Sequence, residues 1–147
     1  MKLELVKNWM THDVITITPE TTLPEAHKLM ADYRIRRLPV VKNGHLVGIV
    51  TRGDIRGAEA SDATSLSVWE LNYLLSNLKI KEIMTHHPIV ISQEANIDEA
   101  AQLMLENKIS GLPVVDYHGE LVGIITESDI FRIVVQAWRE VSADNVM

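Results

Sequence analysis

The sequence predicts an α/β chain of the α+β kind: two pseudo-twofold-related β-α-β-β-α copies, each a small sheet packed by helices, joined by a linker helix. Three observations carry this. The stretch Lys7 to Ile55 returns as Lys81 to Ile130, and each copy closes on the same spaced residues, Gly48-Ile49-Val50-Thr51-Arg52-Gly53-Asp54 and Gly123-Ile124-Ile125-Thr126-Glu127-Ser128-Asp129. Within each copy the apolar period switches between 2 and 3.6 in a fixed order. Between the copies lies one further amphipathic segment. A repeat of this size sets the architecture, and it points to a shared cleft rather than one catalytic centre. The expected division is residues 1–60 for the first copy, 61–79 for a loop and linker helix, and 80–147 for the second copy with a C-terminal amphipathic helix.

The alignment pairs Met10 with Met84, Thr11 with Thr85, His12 with His86, Met30 with Met104 and Pro39 with Pro113. It slips by one residue where Lys42-Asn43-Gly44 faces Asp116-Tyr117-His118-Gly119, and from there Thr51 matches Thr126 and Asp54 matches Asp129. A glycine-containing hairpin turn is where a length change is tolerated.

The elements follow in order. Val14 to Ile17 and Ile89 to Ile91 are short β-branched runs that read as strands. Thr22 with Glu25, and Asn96 with Glu99, have capping-box form and open a helix in each copy. Ala26, Leu29, Met30 and Tyr33 then fall at i, i+3, i+4 and i+7, and Ala100, Leu103 and Met104 repeat most of that stripe, so one face packs inward. Leu38 to Val41 and Leu46 to Val50 are two strands joined by Asn43-Gly44, a strong signal for a tight hairpin. After Thr51 and Thr126 the chain turns helical again. Glu59 to Ser65 is polar and contains Ser61 and Asp62 just after Gly57, which predicts a loop. Ser67 with Glu70 opens the linker helix, whose apolar face is Val68, Leu71, Leu74, Leu75 and Leu78, with Trp69 and Tyr73 beside it. At the C-terminus Ile130, Ile133, Val134, Ala137, Trp138 and Val141 form a long stripe that needs a cover. The subunit's own core and a second subunit are both open readings of that cover.

Composition excludes several function classes. With 147 residues and 46% hydrophobic content the chain buries a real core as a globular module. Lys plus Arg number 14 against 20 Asp plus Glu, a net charge of -6, which argues against a general nucleic-acid or anionic-membrane binder. The absence of cysteine removes disulfides, thiolate metal sites and cysteine nucleophiles together, and fits a reducing interior. The start, Met1-Lys2-Leu3-Glu4-Leu5, is too polar for a signal peptide, and no apolar run reaches the roughly 18 residues of a membrane span, so a cytoplasmic location is expected. The six histidines include His86-His87 but show no metal-ligand spacing, and no Walker-type loop or nucleophile elbow is visible. No catalytic residue and no metal site is therefore expected. His12 and His86 sit at equivalent repeat positions, where either approaches a phosphate or serves as an ordinary loop residue.

The remaining chemistry lies at the two helix starts. Thr51-x-x-Asp54 and Thr126-x-x-Asp129, each just after a strand, are N-cap arrangements: the Thr oxygen accepts from the helix backbone and the Asp suits the first turn. The same geometry suits a nucleotide. Free N–H groups at a helix start attract phosphate, and a carboxylate in the first turn can accept from both hydroxyls of a ribose.

Gly-hydrophobic-x-Thr-x-x-Asp after a hairpin whose first strand begins Leu-Pro-Val-Val, with Met-Thr opening each unit, resembles the cystathionine β-synthase (CBS) domain. The tandem copies resemble a CBS pair, or Bateman module, over nearly the whole chain. The run Ser65-Leu66-Ser67-Val68-Trp69-Glu70-Leu71-Asn72-Tyr73-Leu74-Leu75 is similar to bacterial CBS-pair proteins of the acetoin-utilisation type, members of which often carry a C-terminal ACT domain not reached here. The resemblance implies a non-catalytic regulatory module that binds AMP, ADP or ATP between the copies, with NAD and S-adenosylmethionine as further adenine-containing ligands. It implies ribose contacts from Asp54 and Asp129, with Thr51 and Thr126 beside them, and phosphate contacts from the residues just before Leu-Pro.

Those last residues differ between copies: Arg36-Arg37 precede Leu38-Pro39, whereas Ser110-Gly111 precede Leu112-Pro113. In the family, one copy commonly supplies ribose and phosphate contacts while the other walls the base. The main expected site is therefore Asp54, Thr51, Ile49, Arg36 and Arg37, with Thr85, Ile89, Ser110 and Gly111 around the base. A second, weaker site comprises Asp129, Thr126, Ile124 and Thr11. Arginine suits the phosphate role because its fork pairs with two oxygens and stays charged. Expected partners are the nucleotide, a second copy in a homodimer and a regulated protein the sequence does not identify. The alternative is a ligand-free structural or dimerisation module.

Overall fold

In the computed structural model the described residues are 4–62 and 66–145. They form six strands: β1 (Arg37–Lys42), β2 (His45–Thr51), β3 (Thr85–His86), β4 (Ile91–Ser92), β5 (Gly111–Val115) and β6 (Leu121–Thr126). The helices are α1 (Leu23–Tyr33), α2 (Arg52–Asp62), α3 (Val68–Asn77), α4 (Ile97–Asn107) and α5 (Glu127–Asn145), and short 3-10 turns lie at Val6–Asn8 and Ile80–Glu82. The fold is mixed α+β, with two three-stranded sheets ordered β1-β2-β3 and β4-β5-β6.

The chain divides into two compact units, one of Ile15–Pro88 and the other of Met1–Val14 with Ile89–Met147. This division cuts across the repeats, because each copy's opening segment packs in the unit of the other copy's hairpin. In the first unit Thr85 pairs with Ile49 and His86 with Gly48; in the second, Thr11 bridges Ile124 in the same way. Each exchanged segment is clipped by charge to the loop before a helix. Lys79 and Lys81 reach Glu20 at 2.6 and 3.0 Å, and Lys7 reaches Glu94 at 3.0 Å.

The two cores match position for position. Ile17, Leu23, Ala26, Met30, Leu38, Val40, Val50, Ile80 and Met84 are buried in one unit, and Ile91, Ile97, Ala100, Met104, Leu112, Val114, Ile125, Val6 and Met10 occupy the corresponding places in the other. Close packing against the opening segment explains why the closing strand of each copy carries a glycine, Gly48 in β2 and Gly123 in β6. A Cβ on Gly48 would stand 2.5 Å from Met84 Sδ and 3.0 Å from Thr85 O, and one on Gly123 would stand 2.6 Å from Met10 Sδ and 2.8 Å from Thr11 O. Backbone sits on backbone there, and a side chain would lever the opening segment away. Gly48→Ala and Gly123→Ala are each expected to cost about 1–3 kcal/mol of stability by overpacking, read as a lowered urea midpoint.

The Glu20 clamp makes a second measurable contribution. Hydrogen bonds from Lys79 and Lys81 hold the Glu20 carboxyl well below its usual 4.5, at about 2. A carboxylate depressed in the folded state stabilises above its unfolded pKa, and that contribution fades as pH falls from about 4.5 toward 2. Glu20→Gln is therefore expected to lower the melting temperature near neutral pH, and the gap from the native chain should narrow as pH falls below about 4.5. Because the clamp is exposed, high salt should shrink the gap as well.

Several sequence expectations take a different form. The strand expected over Val14–Ile17 is reduced to one bridge, Ile17 to Val40, and Ile89–Ile91 becomes Ile91–Ser92, because the chain passes from one unit to the other at Val14/Ile15 and Pro88/Ile89. The loop expected from Glu59 begins later: α2 runs to Asp62, and residues 63–65 lie outside the described residues. Ile55 in the core and Ala58 packed against it hold the helix past Gly57, whose propensity cost of about 1 kcal/mol is outweighed by such packing. Thr22 and Glu25 form a complete capping box, and Ser67 accepts from Glu70 N, whereas Asn96 makes no side-chain cap. The Asn43-Gly44 turn has φ of 52° and 80° at its two central residues, the left-handed pair a tight hairpin requires. On α3 only Leu75, together with Leu78 just beyond it, packs against the core, while Val68, Trp69, Tyr73 and Leu74 are exposed. On α5 Ile130 and Ile133 face the core, leaving Phe131, Val135, Trp138 and Val141 exposed.

Candidate functional site

Each hairpin delivers the chain to a helix start by the same backbone device. In the first copy Arg37 pairs with Thr51 across β1 and β2, and Arg52 N donates to Arg36 O at 2.7 Å. In the second, Gly111 pairs with Thr126, and Glu127 N donates to Ser110 O at 3.0 Å. The pre-Leu-Pro residues thus lie directly behind the Thr-x-x-Asp turn in both copies. Sequence spacing alone places the Thr and the Asp together; the hairpin register adds the two residues behind them.

The caps themselves are reciprocal at Thr51. Asp54 Oδ2 accepts from Thr51 N at 2.8 Å, and Thr51 Oγ1 accepts from Asp54 N at 3.1 Å. At the second helix start Asp129 Oδ2 accepts from Thr126 N at 2.8 Å and from Thr126 Oγ1 at 3.3 Å. There the likeness ends. Asp129 is buried, and its other oxygen, Oδ1, accepts from the Arg132 guanidinium. Asp54 is only half-buried, and Gly57 stands where the second copy has Arg132.

Arg132 is the site residue that the sequence reading missed. Its signal was present, since Asp129-x-x-Arg132 is an i,i+3 pair of opposite charge on one helix face. A carboxylate oxygen already holding a guanidinium has less acceptor capacity left for ribose hydroxyls. Asp54 has no such arginine three residues on.

The residues of the main expected site fall in both units. Asp54, Thr51, Ile49, Arg36, Arg37 and Thr85 belong to Ile15–Pro88, and there Ile49 and Thr85 are register partners. Arg36 and Thr85 are exposed, while Ile49, Thr51 and Arg37 are half-buried. Ile89, Ser110 and Gly111 belong to the other unit, with Ile89 exposed, Ser110 half-buried and Gly111 buried. All four residues of the second expected site, Asp129, Thr126, Ile124 and Thr11, lie in that same unit, where Thr11 bridges Ile124. His12 and His86 are exposed. Among the described residues no three histidine, aspartate or glutamate side chains converge as a metal site would require, and no helix is long and apolar enough to cross a membrane.

The same fold recurs in known proteins. Residues 6–61 and 80–136 match the family model of the CBS domain. The CBS domain pair of protein MJ0100, solved in complex with 5′-methylthioadenosine and S-adenosyl-L-methionine, is 33% identical, with a TM-score of 0.79 over 92% of this chain and 99% of that one. CBSX2 of Arabidopsis thaliana, solved in complex with AMP, is 29% identical, with a TM-score of 0.75 over 90% of this chain and 97% of that one. A protein of Vibrio cholerae assigned to acetoin utilization, AcuB, is 31% identical, with a TM-score of 0.76 over 94% and 95% of the two chains. Among curated relatives, an inosine-5′-monophosphate dehydrogenase of Korarchaeum cryptofilum is 38% identical over 125 residues, and the chain spans only 23% of that protein's length. With two matched copies covering most of its length and a shared fold, the chain belongs to the CBS domain family, as a tandem pair.

Proposed function

We propose that this CBS pair is a cytoplasmic, non-catalytic regulatory module that binds an adenine nucleotide of the AMP, ADP or ATP class between its copies. In this reading Asp54 accepts from the ribose hydroxyls, and Thr51 and the guanidinium groups of Arg36 and Arg37 meet the phosphate. Ile49 and Thr85 line the sugar and base side, and Ile89, Ser110 and Gly111 wall the base from the other copy. The observation that carries the reading is the Thr51–Asp54 helix start with Arg36 and Arg37 directly behind it. The complexes of MJ0100 and CBSX2 support an adenine-containing ligand.

The second site, Asp129 with Thr126, Ile124 and Thr11, is the weaker one, because Arg132 holds the Asp129 carboxylate and Ser110 replaces an arginine. Binding acts as a switch only to the extent that the ligand's affinity differs between two arrangements of the module. Titration calorimetry with AMP, ADP, ATP, NAD and S-adenosylmethionine is the test. A saturable heat with at least one of the five is expected, and flat traces with all five contradict the reading.

One observation favours a second reading, that of a dimerisation module. Phe131, Trp138 and Val141 on α5 are more than half exposed, an apolar surface of the kind that marks interfaces. A homodimer is the expected state in either reading. Light scattering should give twice the 16.6 kDa chain mass, with Trp138→Lys shifting the population to monomer.

A further inference from the structure

Between α1 and α2 of the first unit lies a concavity of about 610 Å³, and four arginines, Arg34, Arg36, Arg52 and Arg56, line it together with His27 and Glu59. The chain as a whole is acidic, at a net charge of -6, so this is a concentrated patch of the minority sign. Among the described residues none of the four guanidinium groups is in a salt bridge. The one carboxylate in the lining, Glu59, lies 3.4 Å from His27 Nδ1 instead.

The pocket is separate from the Thr51–Asp54 helix start. Arg52, Ile55, Arg56 and Glu59 recur at i, i+3, i+4 and i+7 and so form one face of α2, while Asp54 lies about half a turn round the helix from Arg52. Neither Thr51 nor Asp54 lines the concavity.

The repeat supplies an internal control. The corresponding concavity of the second unit is lined by Lys108, Ser110, Glu127 and Phe131 where the first has Arg34, Arg36, Arg52 and Arg56. The fold therefore needs none of the last three arginines. Only Arg34 has a structural reason, since both it and Lys108 are left-handed C-caps at the negative end of a helix dipole. Arg52 is placed against local electrostatics. It is the first residue of α2, where the positive end of the dipole disfavours a cation, and it lies at i,i+4 from another cation, Arg56. The second copy puts Glu127 there, the favourable choice. Residues that break a local rule while their structural twins obey it mark a functional constraint.

We infer that this concavity is an oligophosphate-binding pocket beside the ribose site, in which Arg52 and Arg56 pair with the anionic oxygens, Arg36 is shared with the proposed phosphate contacts of the nucleotide and Arg34 closes the rim. Arginine forks pair with phosphate oxygens two at a time. Arg52 and Arg56, which the adenine-nucleotide reading does not use, carry the inference, and the occupant is either free oligophosphate or the phosphate tail of a larger molecule.

Inorganic tripolyphosphate and adenosine, titrated separately into the full chain at low salt, test it. The double variant Arg52→Glu/Arg56→Phe installs residues that the second unit already accommodates at those places, so it is expected to fold. It should lower tripolyphosphate affinity at least tenfold and leave adenosine affinity unchanged, whereas Asp54→Ala should do the reverse. If the pocket serves the tail of a nucleotide, the double variant also weakens ATP tenfold; if it serves a free anion, ATP affinity is unchanged. Absence of tripolyphosphate binding to the native chain, or binding that the double variant leaves intact, overturns the inference. Loss of adenosine binding alone would count against the nucleotide reading and leave the pocket standing.

Discussion

Asp54→Ala should weaken AMP binding by about 100-fold, whereas Asp129→Ala should change it by less than about threefold. The first figure follows from losing two hydrogen bonds to a charged acceptor, each worth about 1.5 kcal/mol or more, at 1.4 kcal/mol per decade of affinity. The second follows from Arg132, which keeps the Asp129 carboxylate engaged within its own helix. Stability should rank the two substitutions the other way. Asp54→Ala removes a cap, for about 1 kcal/mol. Asp129→Ala removes the acceptor of both Thr126 groups at a buried position, for about 2 kcal/mol. Binding measured well below either melting temperature, beside a urea denaturation curve for each variant, separates the two effects. Asp54→Asn retains a capping oxygen and serves as the folded control. Equal losses of affinity in the two alanine variants would reject the asymmetry.

The second large effect is a gain. Arg132→Gly gives the second copy the residue that stands at Gly57 in the first, and leaves Ser110, proposed to wall the base of the main site, in place. This should make binding of a second nucleotide measurable beside the expected first, because Asp129 is released. Freeing Asp129 is not without cost: its carboxylate is buried while the Arg132 side chain is 62% exposed, which sets the penalty at about 1–2 kcal/mol after allowance for screening. A stoichiometry that stays at one in the folded variant would show that Arg132 does not limit the second site.

Much of the fold was legible because duplication exposes it. The hairpin at Asn43-Gly44, the capping box at Thr22 and the stripe of Ala26 and Met30 all rest on local chemistry, and the structure contains each of them. What the repeat could not convey was the exchange of opening segments. Met10 against Gly123 and Met84 against Gly48 are contacts distant in sequence, and a linear alignment assigns each Met-Thr to its own copy. The Lys7–Glu94 and Lys81–Glu20 pairs carried a faint trace of it, as like residues at like repeat positions. The end of α2 was misjudged for another reason: Gly57 and a polar tail argue for a loop by propensity, but Ile55 and Ala58 hold the helix by packing. At the site, the sequence itself distinguishes Arg36-Arg37 from Ser110-Gly111. It took the two carboxylates as equal, however, and the structure shows one of them already bonded to an arginine one helical turn away.

Equilibrium dialysis of AMP against the native 147-residue chain, carried to saturation, tests the central claim most directly. One nucleotide per chain is expected, and Asp54→Ala should abolish that binding over the same concentration range. Two equivalent nucleotides per chain, or one that survives Asp54→Ala and is lost with Asp129→Ala, would contradict it.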